Sequence, residues 1–132
     1  MRPMRATEDY LKTIYILTRK GGTHGSDVAR MLNVSRPTVS VALKNLIRDG
    51  YVWTDVNHLV FLTEEGDCIA RETYTRNQFF QNFLLELGVD GETARQDACK
   101  MEHAVSPESF QAIQSAWNAG KFCVERDEAP TA

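Results

Sequence analysis

The chain has 132 residues, 42% of them hydrophobic, with a formal net charge of −3; it can bury a core, which excludes a disordered chain. No apolar run approaches the ~20 residues needed to span a bilayer, and the short, charged stretch from Met1 to Glu8 does not read as a signal peptide. Three widely spaced cysteines, Cys68, Cys99 and Cys123, fit a reducing cytoplasm better than a disulfide framework.

In chain order, Thr7-Glu8-Asp9 ahead of Tyr10, Leu11, Ile14, Tyr15 and Leu17 predicts a helix capped by Thr7 and stopped at Gly21-Gly22. Ser26-Asp27 opens a short helix ending near Asn33. Ser35 caps the next, with Pro37 in its first turn and Asp49-Gly50 at its end. Two β-like runs follow, Tyr51–Thr54 and Leu59–Thr63, joined by the polar link Asp55–His58. Thr63-Glu64-Glu65-Gly66 starts a long helix that Gly88 interrupts, and another runs from about Glu92 to His103. Ser106-Pro107-Glu108 opens the last, which Gly120 closes. The charged segment 125–132 reads as a disordered tail. Tyr74, Phe79, Phe80, Phe83, Phe110, Ile113 and Trp117 are expected in the core or an interface, and Cys68 and Cys123 as small packing residues.

Helix, short helix, tight turn, helix, hairpin is the order of a winged helix-turn-helix, whose recognition helix presents its N-terminal residues to base edges. Here that helix starts with Ser35, Arg36, Pro37, Thr38 and Ser40. Its hydroxyls can approach a phosphate or base closely, Arg36 can meet a phosphate or guanine, and Lys44 suits the backbone. Ser35 and Pro37 are also simply what a helix start requires. Residues 1–62 hold nine Lys/Arg against five Asp/Glu, net +4, whereas 63–132 hold six against thirteen, net −7. A basic front half fits phosphate contacts. His58, at the hairpin tip, reads as an exposed loop residue.

A second constellation is Cys99-x-x-Glu102-His103. Positions i, i+3 and i+4 share a helix face, and a thiolate, carboxylate and imidazole there suit a divalent transition ion better than calcium or magnesium. The bare pattern equally describes a core cysteine beside a surface Glu-His pair.

Four stretches together resemble the diphtheria toxin repressor and manganese transport regulator family of metal-dependent repressors. They are Thr7-Glu8-Asp9-Tyr10-Leu11-Lys12-Thr13-Ile14-Tyr15, Ser35-x-Pro37-Thr38-Val39-Ser40, Leu62-Thr63-x-x-Gly66, and Ala98-Cys99-x-x-Glu102-His103-x-x-Ser106, in family order within residues 7–120. The resemblance implies a mainly α fold with a small β-hairpin wing. A winged helix-turn-helix domain (1–70) would be followed by an all-helical metal-binding and dimerisation domain (71–124). It further implies operator DNA as partner, a homodimer through the C-terminal helices, and neither membrane nor small-molecule substrate. No counterpart is expected of the SH3-like domain that some iron-type members carry.

It also implies Asp9 as the ligand from the first helix, joining Cys99, Glu102 and His103. Iron-responsive members usually carry Met at the first position and Cys at the second, manganese-responsive members Asp and Glu. The chain thus mixes Asp9 of the manganese type with Cys99 of the iron type, and Lys12 replaces a further manganese-type carboxylate. The expected ion is Fe(II) or Mn(II), with Co(II), Ni(II) or Zn(II) able to bind in vitro. At the family's second metal site stand Asn77, Gln81 and Arg95, the arginine expected to fill the cation's place, so one ion per subunit is predicted. Rival readings are a winged-helix regulator that binds DNA without metal, redox sensing through Cys99, and an enzyme using Cys99 and His103 as nucleophile and base. The last lacks an orienting third group.

Overall fold

A computed structural model of the chain describes residues 3–19 and 21–120. The helices among them are α1 (Arg5–Leu17), α2 (Gly25–Leu32), α3 (Arg36–Arg48), α4 (Glu64–Glu86), α5 (Gly91–Ala104) and α6 (Pro107–Asn118); the strands are β1 (Val52–Thr54) and β2 (Val60–Leu62). The chain divides between Thr75 and Arg76 into two compact units. The expected tail and Cys123 lie outside the described residues.

Helix α1 starts earlier than the capping pattern predicts. Met4, extended, is its N-cap and Thr7 lies inside the first turn, because Arg5 and Ala6 are good helix formers and the Glu8 amide closes the turn on the Met4 carbonyl at 3.0 Å. Helix α2 likewise begins at Gly25, with His24 as N-cap; Asp27 reaches back to accept from the His24 amide at 3.4 Å. Asn33 ends it in the left-handed region at φ 57°, which Asn tolerates. Helix α3 follows the sequence closely. The Ser35 hydroxyl accepts from the Thr38 amide at 3.2 Å, and Gly50, at φ 84°, turns the chain into the hairpin.

The two strands pair antiparallel with Trp53 opposite Phe61, their rings stacked at 4.5 Å, while Val52 and Val60 face the core. Asp55 shapes the connecting turn by accepting from the Asn57 and Leu59 amides, both at 2.9 Å. The hairpin has a further partner that the sequence pattern did not show. Thr23, between α1 and α2, bridges Val60, amide to carbonyl at 3.2 Å and carbonyl to amide at 2.7 Å. Leu11, Ile14, Val28, Val39, Leu46 and Val60 form the buried centre of this first unit. Burying each such side chain contributes roughly 1.5–3 kcal/mol.

Thr63 joins wing to α4. Its amide donates to the Tyr51 carbonyl at 3.0 Å and its hydroxyl to the Gly50 carbonyl at 2.7 Å, and the hydroxyl accepts from the Gly66 amide at 3.1 Å. Gly66 is there because a Cβ would fall 2.0 Å from the Tyr51 carbonyl oxygen. Cys68, expected as packing, is exposed on α4 beside Glu72. Tyr74 packs on Tyr15, ring centroids 5.5 Å apart.

In the second unit the aromatic rings of α4 and α6 interlock. Phe79 and Phe80 meet Phe110 at 5.4 and 5.7 Å, and Phe83 meets Trp117 at 4.9 Å. Asp90 caps α5 through the Thr93 amide, and Ser106 caps α6 through the Ser109 amide at 3.1 Å, with Pro107 in the first turn.

Candidate nucleic-acid interface and metal centre

Ser35, the N-cap, and Arg36, Pro37, Thr38, Ser40 and Lys44 of α3 are all exposed, while Val39 and Leu46 of the same helix are buried. The apolar stripe therefore anchors the helix and turns its opposite face outward. Ser35 Oγ and Thr38 Oγ1 lie 2.7 Å apart, so these hydroxyls are set against each other at the helix start. Beside them, a cleft of about 390 Å³ is lined by His24, Ser26, Arg36, Ser40, Thr54 and His58 among others. Amides at the start of α2, a guanidinium, hydroxyls and two imidazoles can all donate to phosphate oxygens. Sequence reasoning did not single out His24, because only folding brings the start of α2 beside α3 and the hairpin. His58 is exposed, as expected, and held at φ 64°.

The candidate ligands divide between the units. Asp9 lies on α1, its carboxylate 4.0 Å from Arg5 Nε. Cys99, Glu102 and His103 lie on α5, one turn of helix bringing a Cys99 Sγ and a His103 ring nitrogen within 4.8 Å of each other. Glu102 is wholly buried, with Oε2 3.4 Å from His103 Nε2. Sulfur, imidazole nitrogen and carboxylate oxygen on one partly buried helix face fit a divalent transition ion and suit calcium or magnesium poorly. They would hold the ion as a Lewis acid bound by softer and harder donors together.

At the positions of the expected second site the donors are engaged with protein. Asn77 Nδ2 donates to Glu102 Oε1 at 2.7 Å, and Gln81 Nε2 donates to Asn77 Oδ1 at 2.8 Å. Arg95, expected to stand in for the cation, instead pairs with Glu92 of its own helix at 3.1 Å and is exposed. The Asn77 amide, not Arg95, meets the Glu102 carboxylate. Arg76, also unforeseen, donates from Nε to the Glu102 carbonyl at 2.8 Å, near the end of α5 where carbonyls lack helical partners. No spacing rule links residues 25 or 26 positions apart.

Comparison with known proteins covers both units. Residues 3–57 match the family described as "Iron dependent repressor, N-terminal DNA binding domain". Residues 63–131 match "Iron dependent repressor, metal binding and dimerisation domain". The transcriptional regulator MntR of Escherichia coli is 44% identical over 108 residues, 81% of this chain and 70% of that protein. The iron-dependent repressor IdeR of Mycobacterium bovis is 32% identical over 76% of this chain and 44% of its own length. The structure of the manganese regulator SloR superposes with a TM-score of 0.75 at 29% identity, covering 89% of this chain and 55% of that one. The chain thus spans about half the length of that solved structure. No helix among the described residues is long and apolar enough to cross a membrane.

Proposed function

Because the chain belongs to the iron-dependent repressor family of DNA-binding, metal-dependent transcriptional regulators, we propose that it is a repressor switched by one transition-metal ion per chain. The observation that carries this reading is the approach of Cys99 Sγ to a His103 ring nitrogen beside the buried Glu102. Cys99, Glu102 and His103 would hold the ion, with Asp9 as the further ligand that the family resemblance implies. The ion is Fe(II) or Mn(II), supplied by availability rather than by affinity order.

In the chelated chain Asp9, Glu102 and a Cys99 thiolate would repel one another, leaving the DNA-binding halves of a homodimer free to shift. Binding removes that repulsion and favours the arrangement whose recognition helices are spaced near one turn of DNA, roughly 34 Å. Ser35, Arg36, Pro37, Thr38, Ser40 and Lys44 are the residues proposed to meet operator DNA. The family's regulator character sets aside the nucleophile–base reading of Cys99 and His103.

The test is operator binding by wild type, Asp9→Ala and His103→Ala, anaerobically, with Fe(II), Mn(II) or excess chelator. Wild type is expected to bind tightly only with metal, and both variants to stay weak. Equal affinity under all conditions sinks the switch, and tight binding in chelator favours a metal-free regulator.

A further inference from the structure

Glu102 is wholly buried, and the amide of Asn77, itself buried, donates to its Oε1 at 2.7 Å. A carboxylate oxygen accepts, so the amide nitrogen must face it and the amide oxygen must point away. That oxygen accepts from Gln81 Nε2 at 2.8 Å and Gln78 Nε2 at 3.2 Å. A carbonyl oxygen has two lone pairs. Both are directed at protein hydrogens, and the amide nitrogen offers none. Next to Asn77 in α4, Arg76 Nε grips the Glu102 main-chain carbonyl at 2.8 Å. Adjacent residues therefore hold Glu102 by side chain and by backbone.

We infer that Asn77 is a positioning residue of the metal centre proposed above, and that with Gln81 it closes position 77 to a second ion. The inference rests on that metal-binding reading. An ion at position 77 would have to displace two hydrogen bonds to reach the amide oxygen, and it would meet an N–H where it needs a lone pair. The amide instead fixes the carboxylate with no ion present. Glu102 Oε2 lies 3.4 Å from His103 Nε2, so a carboxylate that swings on losing Asn77 also disturbs the imidazole. Supporting groups of this kind orient ligands and tune affinity without touching the ion.

The experiment is an anaerobic Co(II) titration of the full chain, stripped of metal beforehand, followed by absorption. Wild type is expected to take up one cobalt per chain and to develop sulfur-to-cobalt charge-transfer absorption from Cys99. Asn77→Ala is expected to keep that band while its Kd weakens roughly 10- to 100-fold. Gln81→Ala, which frees the amide to turn, should weaken binding in the same direction by less, and it carries the comparison if Asn77→Ala does not fold. Asn77→Asp replaces the donor by a carboxylate and should admit a second cobalt.

Phe110→Ala, which opens the aromatic cluster without removing a hydrogen bond of the amides, is the control. It should lower the thermal midpoint and leave the cobalt Kd unchanged. A Kd for Asn77→Ala within twofold of wild type, or an equal loss in Phe110→Ala, overturns the positioning role. Two cobalt ions on the wild type, or still one on Asn77→Asp, overturns the closing role. A wild type with no cobalt uptake and no sulfur band removes the metal-centre reading and this inference with it. A normal wild-type band with unaffected variants overturns only the inference.

Discussion

Lys44 and Arg36 are both exposed on α3, and as proposed DNA contacts they would make different demands. A lysine that meets phosphate supports every sequence alike. Lys44→Ala is therefore expected to weaken operator and unrelated DNA similarly and to reduce the slope of log K against log salt by about 1. An arginine that reads a base discriminates. Arg36→Ala should cost roughly 1–3 kcal/mol on the operator and relax preference at a single base position. Anisotropy titrations on two duplexes over a range of salt separate these outcomes. The exposure of both residues was legible in sequence because helix periodicity alone puts Val39 and Leu46 inward and their neighbours outward. Asn77 was read as a lost ligand, and its hydrogen bond to Glu102 was not legible. An amide facing a carboxylate across two helices leaves no local pattern.

Whole elements were read most securely where a cap was chemical rather than positional. Ser35 and Ser106 begin α3 and α6 as the sequence predicts, since hydroxyl and following proline act through neighbouring atoms. Ser106→Ala should lower stability to urea by about 1 kcal/mol without shifting the spectrum of the folded state. Thr7 misled because the helix formers Arg5 and Ala6 before it let the chain begin turning sooner, and Ser26 because His24 takes the N-cap with Asp27 accepting from its amide. Gly66 was visible as a motif, but the Tyr51 carbonyl against it was not, since only folding brings the wing there. Gly66→Ala should cost roughly 1–3 kcal/mol in unfolding experiments, the range for forcing a methyl into filled space.

Asp90 adds a pH dependence to α5. Hydrogen bonds from the Thr93 side chain and amide hold its carboxyl below the ordinary value of 3.8. A carboxyl whose folded pKa is depressed stabilises the fold above the unfolded value, and that contribution is lost as pH falls through the lower, folded one. Thermal midpoints should therefore fall more steeply below about pH 4 in wild type than in Asp90→Asn, which caps without titrating.

For the molecule as a whole, the net charge of −3 conceals a basic first half and an acidic second half. Association with DNA is expected to lose affinity steeply with salt even though the chain is acidic, because the slope counts phosphates met rather than total charge. What lay beyond the sequence at this scale were contacts between segments far apart in the chain, and the bridge from Thr23 to Val60 is the plainest of them. A hairpin of two short strands is marginal alone in water. With β2 tied to the segment before α2, peeling the wing away means breaking bonds that belong to the helical core. In hydrogen exchange the Val60 amide should be protected on the timescale of the whole first unit opening, while the Asn57 amide at the turn exchanges as a loop does. The wing keeps the core's time and only its tip is quick.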